Sequence, residues 1–158
     1  DYLGLQNNKQ AVLVGVGNLG RALALYPGFA QFGLKIVALY DNDPTKIGGK
    51  VGSLSVAPVE AMTDYLQNNH TCIGIITTSP NGAQEVADKM VQSGIRAIWN
   101  FSTVQLQVPE EVMVRNVDLS LELAVISHYI SSLGLHKKVT PDRDLDESLS
   151  VGFWENEN

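Results

Sequence analysis

The stretch Ala11-Val12-Leu13-Val14-Gly15-Val16-Gly17-Asn18-Leu19-Gly20 decides the fold. Four apolar residues lead into a G-x-G-x-x-G pattern, and helix-like spacing leads out of it. Strand, glycine turn and helix together are the context that makes such a pattern informative. Each glycine has its own physical task. Gly15 permits the tight turn, Gly17 lets the backbone approach a pyrophosphate, and Gly20 lets the helix pack closely on the strand. Amide N–H groups at a helix start favour the negative charge of a phosphate. A second apolar run, Lys35-Ile36-Val37-Ala38-Leu39-Tyr40, ends in Asp41, which lies 21 residues after Gly20. The acid that binds an adenosine ribose is expected about 20 residues on. The pattern therefore predicts a dinucleotide site, with Asp41 favouring NAD(H) over NADP(H).

Downstream, the apolar periodicity alternates between strand and helix. Pro27 and Gly28 end or kink the first helix. Asp41-Asn42-Asp43-Pro44 is a turn cluster, and 50–56 holds one or two short strands. Pro58 opens a helix running to Leu66. Cys72 to Thr77 is a continuous apolar strand, as expected when a parallel sheet is covered on both faces. Thr78, Ser79, Pro80 and Asn81 turn the chain into a helix with Ala83, Val86, Ala87, Met90 and Val91 on one face. Gly94 is placed as its C-cap. Strands at 95–101 and 112–117 complete the series. This order predicts an α/β Rossmann fold with a doubly wound, mostly parallel sheet.

Asp118 is placed as the N-cap of a further helix. Its apolar residues form two stripes. Leu119, Leu123, Ile126, Ile130 and Leu133 make one; Leu121, Ala124, Val125 and Tyr129 make the other. A helix apolar on two sides has to be buried on two sides, so a partner chain is expected to cover it. The expected organisation is a Rossmann domain over 1–117, a dimerisation helix over 118–135 and an acidic tail over 136–158. The tail carries three basic and six acidic residues in 23 positions.

The whole chain has 158 residues, a net charge of −6 and a pI near 4.9. Its eleven Lys and Arg are scattered, which does not make the basic patch that a nucleic-acid surface needs. One cysteine, Cys72, cannot form an internal disulfide, and its apolar setting makes it a small core residue. Nothing approaches a membrane-spanning run. Residues 1–10 show no signal-peptide pattern, so a cytoplasmic location is the default. A start ten residues before the first core strand is read as part of a longer protein. His70, His128 and His136 fall in a turn, on the last helix and just after it. No Cys/His cluster has metal-ligand spacing, and no metal or catalytic residue is assigned.

Gly15 to Leu23, Gly28-Phe29, Tyr40 to Gly48, Ala83-Gln84, Gly94 to Phe101, Val108-Pro109 and Val117-Asp118-Leu119 form a series that resembles the core of Rex. These are the bacterial NADH-sensing transcriptional repressors. The resemblance covers about Tyr2 to Leu133. It implies a homodimer whose C-terminal helix is exchanged between subunits. It also implies operator DNA as partner, bound through an N-terminal winged helix and released at high NADH. That winged helix is absent from this chain; Tyr2-Leu3-Gly4-Leu5 resembles the join that follows it. Thr77-Thr78-Ser79-Pro80 departs from the family, which often has Val before the proline.

Candidate cofactor residues are Gly15, Val16, Gly17, Asn18, Leu19 and Gly20 at the turn. Asp41, Asn42, Asp43 and Lys46 mark the adenosine end. Thr78, Ser79 and Pro80 lie where the strand before them ends. By resemblance, Asn100 and Phe101 lie towards the nicotinamide, and Asp118 and Leu119 of the partner subunit come near it.

Two rivals remain. The coenzyme domain of an NAD-dependent dehydrogenase of the glucose–fructose oxidoreductase type shares the 78–94 pattern. There a Glu-Lys-Pro stands where this chain has Trp99-Asn100-Phe101, which offers no proton-transfer group. A coenzyme A-binding fold without an acid after the second strand is disfavoured by Asp41.

Overall fold

A computed structural model describes residues 8–134. The tail at 136–158 and the segment at Tyr2 to Leu5 lie outside the described residues. Seven strands form one sheet: β1 (Lys9–Val14), β2 (Leu34–Asp41), β3 (Lys50–Val51), β4 (Leu54–Pro58), β5 (Ile73–Ile76), β6 (Ala97–Asn100) and β7 (Met113–Asn116). Their spatial order is β3-β4-β2-β1-β5-β6-β7. Every neighbouring pair is parallel except the edge hairpin of β3 and β4. From β1 the chain winds outward through β2 to β4, then returns to lay β5 on the other side of β1. The reversal leaves a crevice at the carboxyl ends of β1 and β5, where doubly wound sheets take their ligands.

The helices are α1 (Asn18–Ala24), α2 (Gly28–Gln31), α3 (Met62–Asn68), α4 (Ala83–Gln92) and α5 (Leu119–Ser132). Two apolar cores lie on opposite sides of the sheet. Val12, Val14, Ile76 and Ile98 face α3 and α4, packing on Met62, Leu66, Val86 and Met90. Ala11, Leu13, Leu39 and Ile75 face the other way, towards Val16, Leu19 and Leu23 at α1. Alternate residues of one strand thus feed different cores, as the two-residue period of a strand requires. That is why β1 and β5 read as continuous apolar runs.

Some boundaries differ from the sequence expectation. β1 starts at Lys9, because Lys9 and Gln10 pair with Leu34 and Lys35 of β2 while their side chains stay in solvent. Backbone pairing leaves no trace in hydrophobicity. The first helix closes at Leu25, and Gly28 opens the separate α2. The Tyr26 ring occupies the space that a Cβ on Gly28 would fill. Val59–Ala61 is a 3-10 turn ahead of α3. The C-cap of α4 is Ser93 and not Gly94, which follows it at φ +102° and takes the left-handed turn out of the helix.

α5 stands apart from both cores. Asp118 caps it, with its Oδ1 accepting from Leu121 N at 3.1 Å. None of the helix residues is buried. Among the described residues, no helix is long and apolar enough to cross a membrane.

Candidate functional site

The glycine turn is held by the strands on both sides. Gly15 N–H donates to Tyr40 O of β2 at 2.8 Å, and Thr77 N–H, just past β5, donates to Val14 O at 2.9 Å. Gly15 takes φ +107°, a region that side-chain-bearing residues avoid. A Cβ there would also strike the backbone of Thr77 and Thr78 at 2.6–2.7 Å. Gly17 is the N-cap of α1. Gly20 is required for a different reason: its absent Cβ would overlap the Gly15 carbonyl oxygen. A helix start gathers N–H groups that no carbonyl of the preceding turn accepts, and α1 opens at Asn18 beside the glycine turn.

Asp41 ends β2 beside this turn and is only 7% exposed. Its Oδ2 accepts from Val16 N–H at 2.7 Å and its Oδ1 from Asp43 N–H at 2.9 Å. Burying a carboxylate is costly unless donors meet it, and two backbone donors do so here. The loop beyond is also ordered by a carboxylate. Asp43 Oδ1 accepts from Thr45 N–H at 2.9 Å and from the Thr45 hydroxyl at 2.8 Å. The Thr45 backbone N–H, then its hydroxyl, hold the Asp43 carboxyl below its usual range, and Lys46 adds to this. Lys46 Nζ lies 3.9 Å from Asp43 Oδ2, with its side chain 10% exposed.

Gly15 and the loop at 41–46 border an open cleft of about 640 Å³, within the size range of small-molecule sites, whereas Gly17, Asn18, Leu19 and Gly20 are not part of its lining. Gly15, Asp41, Asn42, Asp43 and Lys46 line it from one side, and Thr78 and Ser79 from the other. The buried Thr78 Oγ1 has no hydrogen-bond partner. Cleft and orphan hydroxyl fit a polar ligand lying across the ends of β1, β2 and β5.

Sequence reasoning missed Thr45, Glu60, Asn81, Glu85 and Lys89, all of which line the cleft. Glu85 and Lys89, four apart on α4 and 3.5 Å from each other, were legible as a helix pair but not as a wall. Also missed was Thr77. Its buried hydroxyl donates to Gly15 O at 2.6 Å and lies 3.1 Å from Val14 O.

Other candidates have different settings. The Val16 side chain is buried in the core and its N–H is committed to Asp41. Pro80 opens a 3-10 turn behind the cleft. Asn100 is fully buried, and all four of its side-chain bonding positions are used. Its Nδ2 donates to Val104 O and Asn116 Oδ1, both at 2.9 Å. Its Oδ1 accepts from Ser102 N–H at 3.0 Å and the Ser102 hydroxyl at 2.6 Å. Asn100 thus shapes the loop after β6 and ties it to β7. Phe101 lies in an aromatic series, 4.9 Å from Trp99, which is 5.6 Å from Phe29. Leu119 is exposed on α5, away from the cleft of its own chain. Among the described residues, no group of His, Cys, Asp or Glu is arranged to hold a metal ion.

A glycine turn at the switch point, with a buried carboxylate ending the next strand, defines a Rossmann-type nucleotide-binding domain. A family model described as CoA binding domain matches residues 6–104, which places the chain in that broad family. Closer relatives are narrower in kind. The chain is 45% identical over 130 residues to the redox-sensing transcriptional repressor Rex of Desulfitobacterium hafniense, covering 82% of this chain and 62% of the relative. It is 49% identical to that of Pelotomaculum thermopropionicum over 79% of this chain and 59% of the relative. The structure superposes on RSP, a Rex-family repressor solved with β-NAD+ and operator DNA, with TM-score 0.80 and 35% identity. That match covers 90% of this chain and 65% of RSP. RSP in complex with β-NADH gives TM-score 0.78 at 36% identity, covering 88% of this chain and 67% of RSP. This chain belongs to the Rex family. It spans about three fifths of the length of these curated relatives, which are named as repressors and not as enzymes.

Proposed function

We propose that this chain is the NAD(H)-binding sensor part of a cytoplasmic redox-sensing repressor, which leaves its operator when NADH rises relative to NAD+. The observation that carries the reading is the buried Asp41 carboxylate hydrogen-bonded to the glycine turn. Gly15, Gly17 and Gly20, with the N–H groups of Asn18 and Leu19, hold the pyrophosphate. Asp41 accepts from the adenosine ribose, and Asn42, Asp43 and Lys46 border the adenosine. Thr78, Ser79 and Pro80 form the opposite wall. Asn100 and Phe101 shape the nicotinamide end, joined by Leu119 of the partner subunit. The fully bonded Asn100 acts there through the loop it fixes.

The Asp41 charge also separates possible ligands. It repels a phosphate on the ribose, which disfavours NADPH and, by the same argument, coenzyme A. NADH and NAD+ share the adenosine and pyrophosphate and differ at the nicotinamide. Switching therefore requires that NADH bind one dimer arrangement better than the other. α5 begins just after β7, which the Asn100 side chain ties to the β6 loop. This helix, exchanged between two copies, carries the nicotinamide state to the subunit interface. DNA is bound by a winged-helix domain on the N-terminal side of this segment.

Replacing Asp41 by Ala is expected to weaken NADH binding and narrow the preference over NADPH by roughly tenfold, the worth of a charge-assisted hydrogen bond. Calorimetric titration of both proteins with both cofactors tests this. Wild-type protein that binds NADH and NADPH equally would refute the role of Asp41. Incubation with NADH and common carbonyl compounds should leave the reduced-nicotinamide absorbance unchanged, whereas steady substrate-dependent loss would point to a dehydrogenase.

A further inference from the structure

The peptide unit between Gly15 and Val16 is gripped at both ends. Its carbonyl accepts from the Thr77 hydroxyl at 2.6 Å, and its N–H donates to Asp41 Oδ2 at 2.7 Å. Thr77 follows β5 and Asp41 ends β2, the two strands that flank β1. Hydroxyl, peptide and carboxylate thus form one buried line across the carboxyl ends of three strands. A peptide unit is planar, so its C=O and N–H cannot turn independently. Gly15 has the freedom to let that plane rotate, since glycine tolerates both signs of φ. Rotated by half a turn, the plane would set the carbonyl oxygen against the Asp41 carboxylate and leave the Thr77 hydroxyl only its longer contact, the Val14 carbonyl oxygen at 3.1 Å. Space around the carbonyl is kept open by Gly20, whose missing Cβ would overlap that oxygen and sit 3.0 Å from Thr77 Oγ1.

We infer that Thr77 is a positioning residue for the dinucleotide site, acting through the Gly15–Val16 peptide on the Asp41 carboxylate. This rests on the reading of the site given above. Thr77 is 1% exposed and does not line the cleft. Its influence on ligand choice therefore passes through Asp41. Hydrogen bonds in series polarise one another, so the Thr77 bond strengthens the hold of Val16 N–H on the carboxylate and fixes where the ribose finds its acceptor. The Thr77 hydroxyl is the chemical requirement. Serine preserves it; valine, of nearly the same shape, removes it.

The test uses the full 158-residue chain as wild type, Thr77→Val and Thr77→Ser. Two readouts are taken: amide exchange of Val16 by NMR, and the ratio of NADH to NADPH affinity by calorimetry. In Thr77→Val the Val16 N–H should exchange about tenfold faster and the affinity ratio should narrow, each by the worth of one buried hydrogen bond. Thr77→Ser should restore both, which a purely space-filling role for Thr77 would not produce. A folded Thr77→Val protein with wild-type Val16 exchange and a wild-type ratio would overturn the inference. Should Thr77→Val not fold, the other two proteins decide: rapid Val16 exchange in wild type, or loss of selectivity in Thr77→Ser, overturns it. If wild type binds neither cofactor, the NAD(H) reading fails on its own, while Val16 exchange still decides whether the relay exists.

Discussion

At Asp41 both carboxylate oxygens already accept a backbone N–H, and each keeps a lone pair for a further donor. The residue is thus fixed in advance of the ribose it is proposed to bind, which would lower the ordering cost of binding. Its neighbour Tyr40 gives an independent check on the packing at the end of β2. Burial pushes the Tyr40 phenol up to about 12, with Tyr65 adding to the effect. The unfolded chain ionises this tyrosine near its ordinary value of 10.0. The associated stability is therefore complete below pH 10 and is lost as pH rises towards 12. Melting temperature should fall over that window, and Tyr40→Phe should flatten part of the fall. A Tyr40→Phe protein with an unchanged alkaline profile would show that the phenol is not buried as described. Gly15 and Gly20 were legible as turn residues from spacing alone, because their tasks follow from local backbone geometry, and Asp41 was legible as the acid that ends β2. Thr77 was not. Its partner Gly15 lies 62 residues earlier, and no sequence period records a hydroxyl that bonds across a sheet.

Among the elements, β1, β2 and β5 were plain from their apolar runs. The edge hairpin of β3 and β4 was legible only as one or two short strands, since two paired residues carry little pattern. α5 is the element whose sequence says most about what lies outside the chain. Its two stripes required burial on two sides, yet Leu121 and Val125 are each 60% exposed here, and the helix does not fold back onto its own domain. Burying such a side chain contributes roughly 1.5–3 kcal/mol, and in the proposed dimer two copies of α5 would bring many of them together. Val125→Asp should leave the fold intact, because the site is exposed within one chain, but should dissociate the dimer. Light scattering distinguishes the cases. A wild type that is monomeric at micromolar concentration, or a variant that stays dimeric, would remove α5 from the interface. NADH affinity should fall together with the dimer if Leu119 of the partner subunit completes the site.

On the scale of the whole molecule, the acidic charge and the DNA-linked reading agree once binding and sensing are assigned to different domains. The chain spans about three fifths of its repressor relatives, and no basic face is needed in a part proposed to read a dinucleotide. The family model described as CoA binding domain and the Rex relatives both match this fold, and the proposed Asp41 contact would separate a ligand with a phosphate on its ribose from one without. Calorimetric titration of the wild-type chain with NADH, in the absence and presence of excess coenzyme A or NADPH, tests this most directly. The account predicts one NADH per chain, displaced by neither competitor at equal concentration. Displacement by coenzyme A at equal concentration, or absence of NADH binding, would contradict it.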